Sequence, residues 1–86
     1  MPRALTIQRT LVTPPDREKF HEKLKRKQAY YASAKCRFWA FEEASLPGAF
    51  LEFFEADDAA TLAKAHAAAP DSVLDPNRVY TEVELR

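Results

Sequence analysis

Four polar side chains interrupt otherwise apolar stripes of this sequence, and they are its best candidates for chemistry. Arg9 stands among apolar residues of a predicted first strand, and Lys27 lies in the apolar stripe of a predicted first helix. Tyr31 follows Lys27 one turn later, and His66 lies in the stripe of a second helix. Polar groups that converge in an apolar gap are the usual form of a small-ligand site. There, an arginine would hold a carboxylate or enolate, and a histidine would move a proton.

The predicted site therefore combines two catalytic residues with three that contact the ligand. A simpler interpretation of the same residues stays open, in which Arg9 pairs with Glu42 or Glu55, the lysine extends its ammonium group to solvent and the histidine is a hydrogen-bonded core residue. The predicted site residues are, with the catalytic pair first, Arg9 and His66, then Lys27, Tyr31 and Thr81.

Other kinds of chemistry have little support in the sequence. The two histidines, His21 and His66, lack the spacing of metal ligands, so no metal site is predicted. The single glycine makes a phosphate-binding loop or a nucleophile elbow hard to build. Cys36, the only cysteine, has no histidine or helix start beside it that would activate a thiolate. We predict no bound cofactor.

Length and charge limit the partners. The chain has 86 residues, and its 13 basic and 13 acidic side chains cancel, so no net field attracts nucleic acid or an anionic membrane. No apolar run is long enough for a signal peptide or a membrane span, and one cysteine fits a reducing compartment. We expect a soluble cytoplasmic protein of one domain, small enough that association would help its stability.

The apolar periodicity predicts four strands and two helices. A pair of aromatic-rich strands around the only glycine, Gly48, reads as a β-hairpin. Thr13-Pro14-Pro15-Asp16 before the first predicted helix, and the aspartates before the second, are typical of helix N-termini. The predicted bounds are a strand over 4–12, a helix from Thr13 to about Ala34, a hairpin over 35–55, a helix from Asp57 or Asp58 to just before Pro70, a loop over 70–77 and a strand over 78–85.

The hairpin register decides which side chains share a face. If Ser45–Gly48 form a four-residue loop, Trp39 lies opposite Phe54, and both faces of the sheet are apolar. The face predicted to pack under the helices carries Leu5, Ile7, Leu11, Phe38, Leu51, Phe53, Val79 and Val83. The face predicted to stay bare carries Trp39, Phe41, Phe50, Phe54 and Tyr80.

The order of elements predicts a fold and an assembly. Strand, helix, strand, strand, helix, strand is the βαββαβ pattern of the α+β ferredoxin-like fold, with two helices on one face of a four-stranded antiparallel sheet. We interpret residues 1–86 as a single such domain. A bare aromatic face would be too large for a soluble monomer, so we predict a homodimer that packs sheet against sheet.

At the level of architecture the chain resembles the dimeric α+β barrel superfamily, which includes the antibiotic-biosynthesis monooxygenases. The resemblance covers Leu5 to Leu85 and is most specific in the segment LEFFEADDAATLAKAHAAAP. It implies a small hydrophobic, aromatic or quinone-like ligand between helices and sheet, oxidised by oxygen without a bound cofactor. Haem-degrading relatives use an asparagine of the first strand, which ALTIQRTLV lacks. A non-catalytic homodimeric module is the alternative from the same architecture.

The segment GAFLEFFEADDAATLAKA also resembles the third strand and second helix of an RNA-recognition motif. In that motif Phe50 would stack on a base. The sequence departs from it because Pro47 and Gly48 stand where the motif has a basic and an aromatic residue. Glutamates at 52, 82 and 84 on the predicted exposed face would also repel phosphates. We therefore expect no nucleic-acid partner, and RNA binding is the remote alternative.

Overall fold

The structure is a computed structural model that describes residues 2–85. It has the predicted order of strands and helices, with bounds that differ at several ends. In chain order the elements are β1 (Ala4–Leu11), a 3-10 turn (Pro14–Asp16), α1 (Arg17–Ser33), β2 (Cys36–Glu42), β3 (Ala49–Ala56), α2 (Ala59–Ala67) and β4 (Tyr80–Thr81).

The four strands form one antiparallel sheet in the order β2-β3-β1-β4. Both helices cover the same face of it, which we call the inner face. Tyr31 of α1 stacks on Phe38 of β2, and His66 of α2 meets the ring of Phe54 of β3 edge-on. The predicted α+β sheet with two helices is confirmed, and it is compatible with the ferredoxin-like fold. No helix within residues 2–85 is both long and apolar enough to cross a membrane.

Local sequence explains both helices. The predicted stripe of α1 is confirmed, because Phe20, Lys27 and Tyr31 are its buried residues. Helix α2 begins after Asp58, whose carboxylate accepts a hydrogen bond of 2.7 Å from the amide of Thr61. The helices thereby present fixed faces to the sheet.

The hairpin register differs from the predicted one by one residue. Trp39 lies opposite Phe53, and Phe38 lies opposite Phe54, because the loop between β2 and β3 is longer than four residues. Gly48 determines this loop. It adopts φ +95°, its carbonyl accepts a hydrogen bond of 2.7 Å from the amide of Val12, and any Cβ there would collide with the Val12 carbonyl.

The one-residue shift reverses β3, because alternate side chains point to opposite faces. The prediction that Phe50 and Phe54 lie on the bare face is therefore wrong, and both lie on the inner face with Glu52. Strand β1 is also reversed, so Thr6 and Gln8 are buried under the helices. The face turned away from the helices, which we call the outer face, carries Leu5, Ile7, Arg9, Leu11, Arg37, Trp39, Phe41, Leu51, Phe53, Glu55 and Tyr80.

The last strand is much shorter than the predicted 78–85. Only Tyr80 and Thr81 pair with β1, and one further bond of 2.9 Å joins the amide of Glu82 to the carbonyl of Arg3. The next residue of the first strand would be Pro2, which has no amide hydrogen to donate. Val83 is therefore not packed under the helices as predicted, but is 74% exposed.

Candidate functional site

Three of the predicted site residues surround one aromatic ring on the inner face. The ammonium nitrogen of Lys27 lies 5.9 Å from the centroid of the Phe54 ring. The ring centroids of Tyr31 and His66 lie 5.0 and 5.2 Å from the same centroid. Helix α1 supplies two of these side chains and α2 the third, so the packing of both helices on β3 brings them together.

A hydrogen-bonded chain runs through His66. Its Nδ1 lies 2.8 Å from the hydroxyl of Tyr31, and its Nε2 lies 2.7 Å from Oγ1 of Thr6. A neutral imidazole offers one donor and one acceptor, and each hydroxyl can take the complementary role. Burial lowers the pKa of His66 and raises that of Tyr31, so both are uncharged at neutral pH. The chain can therefore form with His66 in either neutral tautomer, in which one hydroxyl donates to the imidazole and the other accepts from it.

Next to this chain lies a buried ion pair. Lys27 donates to Oε1 of Glu52 over 2.6 Å, and both side chains are almost fully buried. The other carboxylate oxygen, Oε2, accepts from the side-chain Nε2 of Gln8 at 2.9 Å and from the hydroxyl of Thr10 at 3.3 Å. The side-chain oxygen of Gln8, Oε1, accepts from the backbone amide of Leu74 at 2.9 Å, which ties the 70–79 segment to the sheet.

The sequence interpretation missed Thr6, Gln8 and Glu52, because it placed them on the exposed face. Their partners lie far away in sequence, on the two helices for Thr6 and Glu52 and on β3 for Gln8, so strand alternation carried no sign of them. The available signal was that Lys27 and His66 both occupy apolar helix stripes and therefore need polar partners across the interface.

The polar side chains of the cluster bond one another. No buried side-chain nitrogen or oxygen within residues 2–85 lacks a hydrogen-bond partner. Two clefts beside α1, of about 470 and 280 Å³, are lined by residues outside the cluster. As folded, the cluster is a closed polar core.

Arg9 and Thr81 do not join the cluster. Arg9 lies on the outer face, where its guanidinium contacts the carboxylate of Glu43 at 3.4 Å. The predicted partners had been Glu42 and Glu55. Thr81 is exposed in the edge strand β4, opposite Ala4. The predicted catalytic pair is therefore divided between the two faces of the sheet.

The outer face is the second candidate site. Trp39 stacks on Phe53 with ring centroids 5.8 Å apart, and Phe41 meets the same ring edge-on at 5.6 Å. Phe41 and Leu11 are 58% and 68% exposed. No element within residues 2–85 covers these side chains, because both helices lie on the inner face.

The inner position of Phe50 removes the main support for an RNA-binding sheet. Its ring centroid lies 4.8 Å from that of Phe20, and the guanidinium carbon of Arg17 lies 5.5 Å from the centroid of the Phe50 ring. The ring is therefore not on the exposed face where bases would stack. Among the described residues no group of three or more histidine, cysteine or acidic side chains is arranged to hold a metal ion.

Comparison of the chain with protein-family models, with curated proteins and with solved structures gives no match.

The lowered pKa of His66 predicts a pH dependence of stability. Below the ordinary pKa of about 6.5, the unfolded state binds a proton that the folded state does not. Stability should therefore fall as the pH drops from 7.5 to 5.5, by at most about 1.4 kcal/mol per pH unit. Urea unfolding at several pH values measures this slope. The His66→Gln variant should show a smaller dependence of stability on pH. The His21→Gln variant, whose substitution is on the exposed side of α1, should keep the wild-type slope. An unchanged slope in His66→Gln would contradict the assignment.

The buried ion pair predicts strong coupling in a double-mutant cycle. Lys27→Met leaves a buried carboxylate without a countercharge and should lower the free energy of unfolding by about 3–5 kcal/mol. Adding Glu52→Gln removes that charge, so the double variant should lose much less than the sum of the singles. The solvent-facing pair Arg17–Glu42 is the control and should show smaller coupling. Equal coupling energies in the two cycles would contradict the prediction that burial makes the Lys27–Glu52 interaction the stronger of the two.

Proposed function

We propose that the chain functions as a homodimeric module whose subunits associate through the outer face of the sheet. The observation that carries this proposal is the uncovered aromatic and aliphatic surface around Trp39, Phe41 and Phe53. Burying such a surface is the main source of association energy between protein subunits. An identical sheet supplies a cover of matching shape and polarity.

The size of the face fits this role. Its three long strands have 7 or 8 residues each. With about 3.3 Å per residue and about 4.8 Å between strands, the face measures roughly 25 by 15 Å. That is near 400 Å² of flat area, within the range of the largest patch on a typical monomer, which is often functional. The flat area is about half of the roughly 800 Å² per partner of a standard interface, and the projecting aromatic rings add to the surface that a second copy can cover.

The charges of the outer face are neutralised within the subunit. Arg37 bonds the carboxylate of Glu55 and contacts that of Asp57 at 2.9 Å, and Arg9 contacts Glu43. Paired charges near the strand ends need no partner from the other subunit. The apolar centre between them can be buried in a two-fold interface without stranding a charge, which would be costly.

Trp39→Glu should convert the dimer to a monomer, because it places a carboxylate in the aromatic part of the buried face, next to Phe53. Sedimentation equilibrium measures the mass. Gln28→Glu adds the same charge on the exposed side of α1 and should leave the dimer intact. A Trp39→Glu variant that still sediments as a dimer would contradict this interface, and so would a monomeric Gln28→Glu variant.

A second candidate function is a cofactor-independent monooxygenase acting on a small aromatic or quinone-like compound at the inner cluster. Two observations favour it: Lys27, Tyr31 and His66 converge on one aromatic ring, and ionisable clusters with shifted pKa values concentrate at functional sites. Because the cluster is closed, a ligand must first displace the 70–79 segment that Leu74 anchors to Gln8.

Oxygen uptake with a reduced naphthoquinone tests this second function. The rate of oxygen uptake should be higher with the folded protein than with the heat-unfolded protein. Tyr31→Phe should lower this rate about 100-fold, because it removes the hydroxyl beside His66. His21→Gln should behave as wild type. Equal uptake by folded and unfolded protein would eliminate the enzyme and leave the homodimeric module.

A further inference from the structure

A cleft of about 470 Å³ lies between the first half of α1 and the end of β1. Its volume is within the range of small-ligand pockets, which is about 300–1,000 Å³. The buried ring of Phe20 and the half-buried Val12 line its apolar part, and the exposed side chain of Leu11 forms one border. Of these three, only Leu11 belongs to the outer face, so a sheet-to-sheet dimer leaves the helix side of the cleft open.

The polar lining of this cleft is mainly basic. Lys19, Lys23 and Arg26 follow one another at spacings of four and three residues, which places them on one side of α1. Arg26 contacts Asp71 at 3.6 Å, whereas Lys19 and Lys23 make no ion pair with any residue in the range 2–85. Asp16 is the one acidic residue of the lining.

This local excess of positive charge stands out in a chain whose net charge is zero. On α1 the other basic residues outside the cleft have acidic partners, since Lys25 contacts Glu22 and Lys27 contacts Glu52. Two lysines without partners beside an apolar surface match a molecule that carries an anionic group on an apolar body.

We propose that this cleft binds a small carboxylate with an aromatic or aliphatic body. The carboxylate lies between the ammonium groups of Lys19 and Lys23, and the apolar body packs against Phe20 and Val12. The site is separate from the subunit interface and from the closed inner cluster, so it does not depend on either proposed function.

Sodium 1-naphthoate is a suitable probe, and neutral 1-naphthalenemethanol is the matched ligand without the charge. Titration of ¹⁵N-labelled protein should give saturable amide shifts at Leu11, Val12 and Lys23, with weaker binding of the alcohol. Lys19→Gln/Lys23→Gln should weaken naphthoate binding about fivefold or more, because two ionic contacts are lost. Lys25→Gln/Lys64→Gln removes the same charge elsewhere and should bind as wild type.

Three results would overturn the proposal. The first is the absence of saturable shifts at millimolar naphthoate. The second is equal weakening by the two double variants, which would mean that only overall charge matters. The third is a set of shifts centred on Trp39 and Phe53, which would place the probe on the outer sheet face. Because the dimer is measured separately by sedimentation, failure here leaves the proposed function standing.

Discussion

The register between β2 and β3 is the constraint on which the rest of the structure depends. Gly48 adopts a backbone conformation that other residues rarely take, and its carbonyl accepts a hydrogen bond from the backbone amide of Val12. This closes the hairpin and also fixes β1 beside β3. The register then points Glu52 and Phe54 toward the helices and Phe53 away from them. A shift of one residue would exchange these side chains and leave Lys27 without its carboxylate.

The two faces of the sheet consequently have different structural roles. The inner face is partly polar, and its polar groups bond one another: Lys27 with Glu52, and Tyr31 and Thr6 with His66. Such a network specifies how the helices sit, because any other placement would strand a buried charge or hydroxyl. The outer face is apolar at its centre and has no cover within residues 2–85. The inner face therefore accounts for a unique subunit fold, and the outer face for the proposed association.

Sequence reasoning succeeded where the signal was local. The stripe of α1 with Phe20, Lys27 and Tyr31 followed from helical spacing, and the start of α2 followed from Asp58. It failed where one residue of loop length decided the outcome, so Phe54 was placed on the wrong face. Arg9 was expected beside His66 because β1 was assumed to bury its apolar side.

That assumption about β1 failed for a physical reason. Alternation tells which side chains share a face, but not which face a helix will cover. Thr6 and Gln8 lie inward because His66 and Glu52 supply their hydrogen-bond partners, and those partners come from sequence positions more than 40 residues away. Only the assembled tertiary structure brings these groups together, so neither the closed cluster nor the inward side of β1 was accessible from strand periodicity.

The most direct test of the central claim is an isotope-filtered NOE experiment on an equimolar mixture of ¹³C-labelled and unlabelled protein. It detects only contacts between different copies of the chain. Packing through the outer face predicts intermolecular contacts from the rings of Trp39, Phe41 and Phe53 to the same face of the second copy. Intermolecular contacts confined to α1 and α2, or none at all, would contradict the sheet-to-sheet dimer.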